Sequence, residues 1–192
     1  QVIRAFKEDY DLNDQQIEEL LDFCSFKKKP KNINYLEFYK NELRQKCEQI
    51  VYPFTQIYKY ENFLSDKECT DLISCISSRL SESTVADDDD TNLISDYRTS
   101  QSGNLGYFDD PFFLVIDKKI TNLLNLCPFL GETMQGQKYS PGQYYKEHHD
   151  FFTPFTKQYK TYCEWMGQRT WTTMIYLNDV HEGGETYFKH LK

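Results

Sequence analysis

No apolar run in the chain approaches the roughly 20 residues that a membrane-spanning helix requires, which excludes a helical span as its organising feature. The opening residues also lack the charged, apolar and small-residue succession of a secretory leader, so the expectation is a soluble protein in which Gln1 is not the native start. Positive charge is in short supply. With 22 Lys and Arg against 30 Asp and Glu the net charge is -8, and phosphate backbones are bound by clustered cations, so nucleic acid is excluded as the main partner. The one basic knot, "KKKPK" at Lys27 to Lys31, reads as a solvated helix end or loop. Cysteine pairs at metal-ligand spacing are missing too. The six cysteines (Cys24, Cys47, Cys69, Cys75, Cys127, Cys163) include no CxxC, which favours buried reduced thiols over a disulfide framework or a zinc site. Reduced thiols point to a cytoplasmic setting, with a secretory compartment left open. No Ser or Cys stands in a recognisable nucleophile turn.

What is present is a chain of 192 residues, 39% hydrophobic and 16% aromatic, enough for one domain with a substantial core and some additional structure. Residues 1–52 read as an N-terminal helical extension. Ile17, Leu20, Leu21 and Cys24 follow helical spacing, and a second stripe runs through Leu36, Tyr39, Leu43, Cys47 and Ile50. From Pro53 the character changes: "FTQIYKYENFL" alternates like a strand and leads into a helix whose capping box is Ser65 and Glu68, with Leu72, Ile73, Ile76 and Leu80 as its buried stripe. "SESTVADDDDTN" reads as a polar loop. Its aspartates, Asp87 to Asp90, lack the alternating spacing and turn glycine of a calcium loop. A further helix is expected in "PFFLVIDKKITNLLNLC". "GETMQGQKY", "SPG" and "QYYKEHHDFF" read as strand, turn, strand, and "RTWTTMIYLND" and "EGGETYF" as a later strand and turn. This order fits an α+β chain in which an antiparallel sandwich or jelly roll (a double-stranded β-helix) is flanked by helices.

Within "YKEHHDFF" the question is which histidine holds a metal. On a strand, side chains at i and i+2 share a face, so His148 converges with Asp150 and His149 points away. One imidazole and one carboxylate two apart supply two corners of the two-histidine, one-carboxylate triad of non-haem Fe(II) oxygenases. Alone, the triplet is better explained as a surface His–Asp pair.

The surroundings alter that balance. "ETMQGQKYSPGQYYKEHHDFF" followed by "GQRTWTTMIYLNDVHEGGETYF" resembles the catalytic core of the prolyl 4-hydroxylase family of Fe(II)- and 2-oxoglutarate-dependent dioxygenases. "YENFLSDKECTDLI" is similar to that family's opening strand and helix, and "YRTSQSGNL" to its Arg-Thr-Ser segment, so the resemblance runs from about Ile57 to Phe188. It implies that residues 53–192 form a dioxygenase domain that hydroxylates a peptidyl proline while 2-oxoglutarate is decarboxylated to succinate. Hydroxylation of another residue or a small molecule, or a non-catalytic binding module, are the alternatives. It further implies Fe(II), 2-oxoglutarate as cosubstrate, and ascorbate. His148 and Asp150 would bind the metal, Tyr139 and Thr186 the cosubstrate, and Arg169 and Tyr145 the peptide. Read without the family, Tyr139 is a core tyrosine, Gly183 and Gly184 a hairpin turn, and Arg169 a surface ion-pair residue. Strand parity also puts Tyr144, not Tyr145, on the His148 face.

The family's pattern needs a second histidine and then a basic residue for the far carboxylate of 2-oxoglutarate. His190 and Lys192 follow the Gly-Gly-Glu-Thr turn too closely to be those residues, so the expectation is a domain truncated at its C-terminal end.

Overall fold

The computed structural model describes residues 43, 46–51, 56–86, 92–93, 96–106, 110–124, 126, 131–164 and 167–190. The first helical pattern, Ile17 to Cys24, and the aspartates Asp87 to Asp90 lie outside the described residues. The second helical stripe is described only at its end, and there it is corrected. Leu43 and Lys46 are helical, but Glu48–Val51 forms strand β1, paired antiparallel with β2, Gln56–Lys59. Ile50 therefore stands opposite Ile57 in a hairpin instead of continuing a helical stripe. A run of Gln, Ile and Val serves either period, and the adjacent partner strand decides between them.

Ser65 starts α1, Asp66–Ser77, through the expected capping box. Its hydroxyl accepts from the Glu68 amide at 3.3 Å, and its own amide donates to the Glu68 carboxylate at 2.8 Å. The same carboxylate accepts from Lys119 on α2, Pro111–Leu124, so one side chain caps the first helix and ties it to the second. The Lys119 ammonium and the Ser65 amide hold Glu68 down to about 2. Of the expected stripe, Leu72 and Ile76 are buried, Leu80 packs on the core from beyond the helix end, and Ile73 is exposed.

The sheet under α1 has three antiparallel strands in the order β3 (Ser81–Glu82), β6 (Gln101–Leu105), β7 (Met134–Lys138). Between β3 and β6 in sequence, β4 (Val85–Ala86) and β5 (Asn92–Leu93) make a small separate pair, where only a polar loop is expected. Gly103 faces Gly136 across β6 and β7. A Cβ on Gly136 would stand 2.2 Å from Ile76 Cγ1, and one on Gly103 would stand 3.1 Å from Arg79 Cβ. The glycine pair is what lets α1 approach this closely. Around the contact lies the core: Leu64, Leu72, Ile76, Leu105, Phe113 and Ile116, with Met134, Ile175 and Leu177 against it.

Overall the architecture is mixed α+β, helices with small antiparallel sheets. The expected strand at "QYYKEHHDFF" reduces to one bridge, Arg98 with Tyr145, and residues 167–190 form no ladder among the described residues. In the latter segment alternation survives as burial: Ile175 and Leu177 pack inward while Met174 and Tyr176 are exposed. The β pattern sets which side chains turn in, whereas a ladder needs a partner backbone. A short helix, α3 (Lys157–Cys163), is unanticipated, although Thr156 marks it by accepting from the Tyr159 amide. The described cysteines are free thiols, Cys47 and Cys163 buried as expected but Cys69 and Cys75 only half-buried, and among the described residues no helix is long and apolar enough to cross a membrane.

Two stability predictions follow from this packing. Gly136→Ala forces a methyl into the branched, buried Ile76 side chain, so it is expected to cost about 3 kcal/mol, the upper end of overpacking, read as a lower urea midpoint. A wild-type midpoint would show that the helix–sheet approach is not limiting. Asp117 is buried on α2, and burial pushes its carboxyl from 3.8 up to about 6. Its folded pKa exceeds the unfolded one, so the contribution of this group to stability is fully present below 3.8 and is lost as pH rises through about 6. Asp117→Asn is expected to stabilise the protein by about 1–3 kcal/mol at pH 8, with the difference from wild type vanishing by pH 4.

Candidate functional site

The two faces of β6 and β7 differ in chemistry. Gly103, Leu105 and Gly136 turn towards α1, whereas alternate positions on the other side carry polar groups. Arg98 leads this polar face. Its guanidinium donates to Ser102 Oγ at 2.9 Å, to Gln135 Oε1 at 2.8 Å and, through Nε, to Ser100 Oγ at 3.3 Å. Ser83 Oγ joins Ser100 and Ser102 at 2.9 and 2.6 Å, closing a buried hydroxyl network. Further along β7 the Tyr139 hydroxyl donates to Gln137 Oε1 at 3.1 Å.

The turn after β7 brings the chain back over this face. Gly142 takes φ 82°, the Gln143 amide donates to Ser140 O at 2.9 Å, and the chain then bridges at Tyr145 to Arg98. Thr99 N donates to Tyr144 O at 3.0 Å and Lys146 N to Tyr97 O at 2.9 Å, fixing the backbone just before the histidines.

His148 and Asp150 meet as parity requires, with Nε2 3.4 Å from Oδ1. His148 Nδ1 lies 2.8 Å from Lys146 O. A carbonyl only accepts, so Nδ1 carries a proton, and Nε2 is the ring nitrogen on the Asp150 side. His149 turns elsewhere, with Nδ1 2.8 Å from Phe151 O and its ring stacked on Phe151. The parity expectation for Tyr144 is corrected, because Tyr145 stacks on the His148 ring at 3.7 Å and 19°. The backbone after the bridge is not a regular strand, so its alternation does not extend from Tyr144 to His148. Burial pushes the Tyr145 phenol above its ordinary value. Arg98 opposes that shift, and Tyr97, Asp150 and Tyr139 add to it.

Asp150 is held from two positions of a later segment, and Phe152 from a third. Thr172 Oγ1 donates to Asp150 Oδ2 at 2.5 Å, and Arg169 donates to Asp150 O at 3.1 Å. Two residues on, the Gln168 side chain clamps Phe152, accepting from its amide at 2.9 Å and donating to its carbonyl at 2.8 Å. Arg169 is also paired through one guanidinium edge, Nε and Nη2, with both oxygens of the Glu132 carboxylate, which holds it above its ordinary pKa, and its Cζ lies 4.4 Å over the Phe152 ring. Its ion-pair reading is thus realised with Glu132. Thr186 meets the Tyr176 hydroxyl at 2.7 Å, and Gly183 and Gly184 take φ 79° and 78°, conformations that favour glycine.

The structure therefore brings together His148, Asp150, Tyr145 and Arg169. Tyr139 bonds back to Gln137, and Thr186 bonds within its own segment. The donor set of one imidazole nitrogen and one carboxylate, each secured by an outer hydrogen bond, suits a divalent iron site in two of its protein ligands. Among the described residues no group of three or more His, Cys, Asp or Glu side chains converges, so His190 does not complete it. Thr172, Glu132 and Arg98 escaped the sequence reading as site residues. Arg98 stood in the quoted Arg-Thr-Ser segment, but nothing in the spacing announced its contact with Tyr145.

No protein-family model matches the chain. Among curated proteins, "Prolyl 4-hydroxylase 2" of Arabidopsis thaliana is 36% identical over 132 residues, 68% of this chain and 42% of that protein. "Prolyl 4-hydroxylase 1" of the same plant is 36% identical over 136 residues, 69% of this chain and 46% of that protein. A viral relative, "Putative prolyl 4-hydroxylase" of Acanthamoeba polyphaga mimivirus, is 30% identical over 139 residues, 72% of this chain and 55% of that protein. The chain spans about half the length of these relatives. Similarity at this level over some 70% of the chain, joined to the convergence of His148 and Asp150, places it: the chain belongs to the prolyl 4-hydroxylase family.

Proposed function

We propose that the protein carrying this chain is a prolyl 4-hydroxylase that acts on a proline-containing peptide and uses Fe(II) and 2-oxoglutarate. The observation that carries the reading is the His148–Asp150 pair, with Nε2 facing Oδ1 at 3.4 Å and Nδ1 committed to a backbone carbonyl. In this reading the core is the jelly roll implied by the family resemblance, with ascorbate as an accessory reductant.

His148 Nε2 and an Asp150 oxygen would hold the iron. When bound, iron and 2-oxoglutarate together supply the oxidising power for C–H hydroxylation, chemistry that no side chain provides. The chain's own residues bind and orient. Lys146 O fixes the His148 tautomer, and Thr172 and Arg169 fix the Asp150 carboxylate and backbone. Tyr139, half-exposed on the polar face, would offer its hydroxyl to the cosubstrate, and Thr186 its own once released from Tyr176. Tyr145 and Arg169 would line the peptide path. The phenol of Tyr145 would be a donor for a peptide carbonyl. Arg169 would exchange part of its Glu132 pairing for substrate, and Phe151 and Phe152 would help exclude water.

The test is peptide-dependent conversion of 2-oxoglutarate to succinate by the full natural chain with Fe(II). His148→Ala and Asp150→Ala are each expected to lower turnover at least a thousandfold, and His149→Ala to leave it within about tenfold of wild type. Inactivation by His149→Ala alone would reverse the ligand assignment. Succinate formed without hydroxylated peptide would point to a substrate other than proline.

A further inference from the structure

Arg98 is nine-tenths buried, and among the described residues the acceptors that hold its guanidinium, Ser100, Ser102 and Gln135, are all neutral. Its Cζ stands 5.0 Å from the centroid of the Tyr145 ring, and that ring stacks on the His148 imidazole at 3.7 Å. Tyr97 meets Tyr145 edge-on at 6.0 Å and 81°, buttressing it from another direction. A buried cation on three neutral acceptors meets its remaining electrostatic demand at the negative face of an aromatic ring.

We propose that Arg98 is a positioning residue for the His148 imidazole, acting through the Tyr145 ring. The inference rests on the reading of His148 as a metal ligand. The hydrogen bond from Nδ1 to Lys146 O aims one ring nitrogen but leaves rotation about that bond, and the terminal torsion of a histidine is broad. Stacking at 19° against a ring that is itself held removes this freedom. The holding begins in the sheet: the hydroxyl network fixes the guanidinium, the guanidinium fixes Tyr145, and Tyr145 fixes the plane in which Nε2 faces Asp150. The backbone bridge between Arg98 and Tyr145 sets the two residues opposite each other, so the column is built into the pairing of two chain segments.

Co(II) binding by the full natural chain, followed through its visible absorption, tests this alongside the ring-proton shifts of His148 in the metal-free protein. Arg98→Met and Tyr145→Leu are each expected to weaken Co(II) binding by about tenfold, as loss of an outer-shell partner does, and to relieve the shielding of the His148 ring protons. Tyr145→Phe keeps the ring and is expected to keep both readouts. The double variant Arg98→Met with Tyr145→Leu is expected to bind no more weakly than Tyr145→Leu alone, because the two act in series. Should Arg98→Met fail to fold, Arg98→Lys, which keeps the charge but not the planar guanidinium, is expected to weaken binding by a smaller factor. A folded Arg98 variant with wild-type Co(II) affinity and unmoved His148 shifts overturns the proposal, as do additive losses in the double variant. In those cases wild type still binds Co(II) and the metal-site reading stands; a wild type that binds none overturns both.

Discussion

The site depends on how closely α1 can lie on the sheet. Ile76 occupies space that a Cβ on Gly136 would fill, and Gly103 opposite leaves room for Arg79. With that face of β6 and β7 committed to the helix and the apolar core, strand alternation turns every second residue to the other side. There the polar residues gather: Arg98, Ser100 and Ser102 from one segment, Gln135, Gln137 and Tyr139 from the other. A bulkier residue at either glycine would shift the helix, and with it the strands whose polar side carries the site.

Above that face the chain is held by side chains more than by ladders. Tyr144 to Lys146 are anchored by a single bridge, and Asp150 to Phe152 by Arg169, Thr172 and Gln168 from a segment without strand pairing. Side-chain clamps fix individual atoms where a regular ladder would impose strict alternation. This is why Tyr145 stacks on His148 although strand parity assigns that place to Tyr144. It also lets a buried arginine on the sheet reach the histidine through one aromatic ring.

Much of the local structure was legible. The Ser65–Glu68 box, the helix from Pro111, the strand at Met134 to Lys138 and the turn at Gly142 follow from short-range rules, and each is present. The His148–Asp150 pairing was legible as well, since two residues of separation bring side chains together in any nearly extended backbone. Less legible were the strand at Glu48–Val51, inside a stripe that also satisfies a helical period, and α3, whose cap at Thr156 lies in an aromatic stretch. The Arg98–Tyr145 contact was invisible because nothing local links residues 47 apart.

By itself the amino-acid sequence determined the family, the capping box of α1 and the convergence of His148 with Asp150, all set by neighbours within a few residues or by several motifs in order. Tertiary structure decided whether β-patterned segments found ladder partners, which carboxylate Arg169 met, and which tyrosine lay on the histidine ring. Those outcomes depend on segments distant in the chain meeting at a given separation, and hydrophobic period and turn chemistry carry no record of that distance.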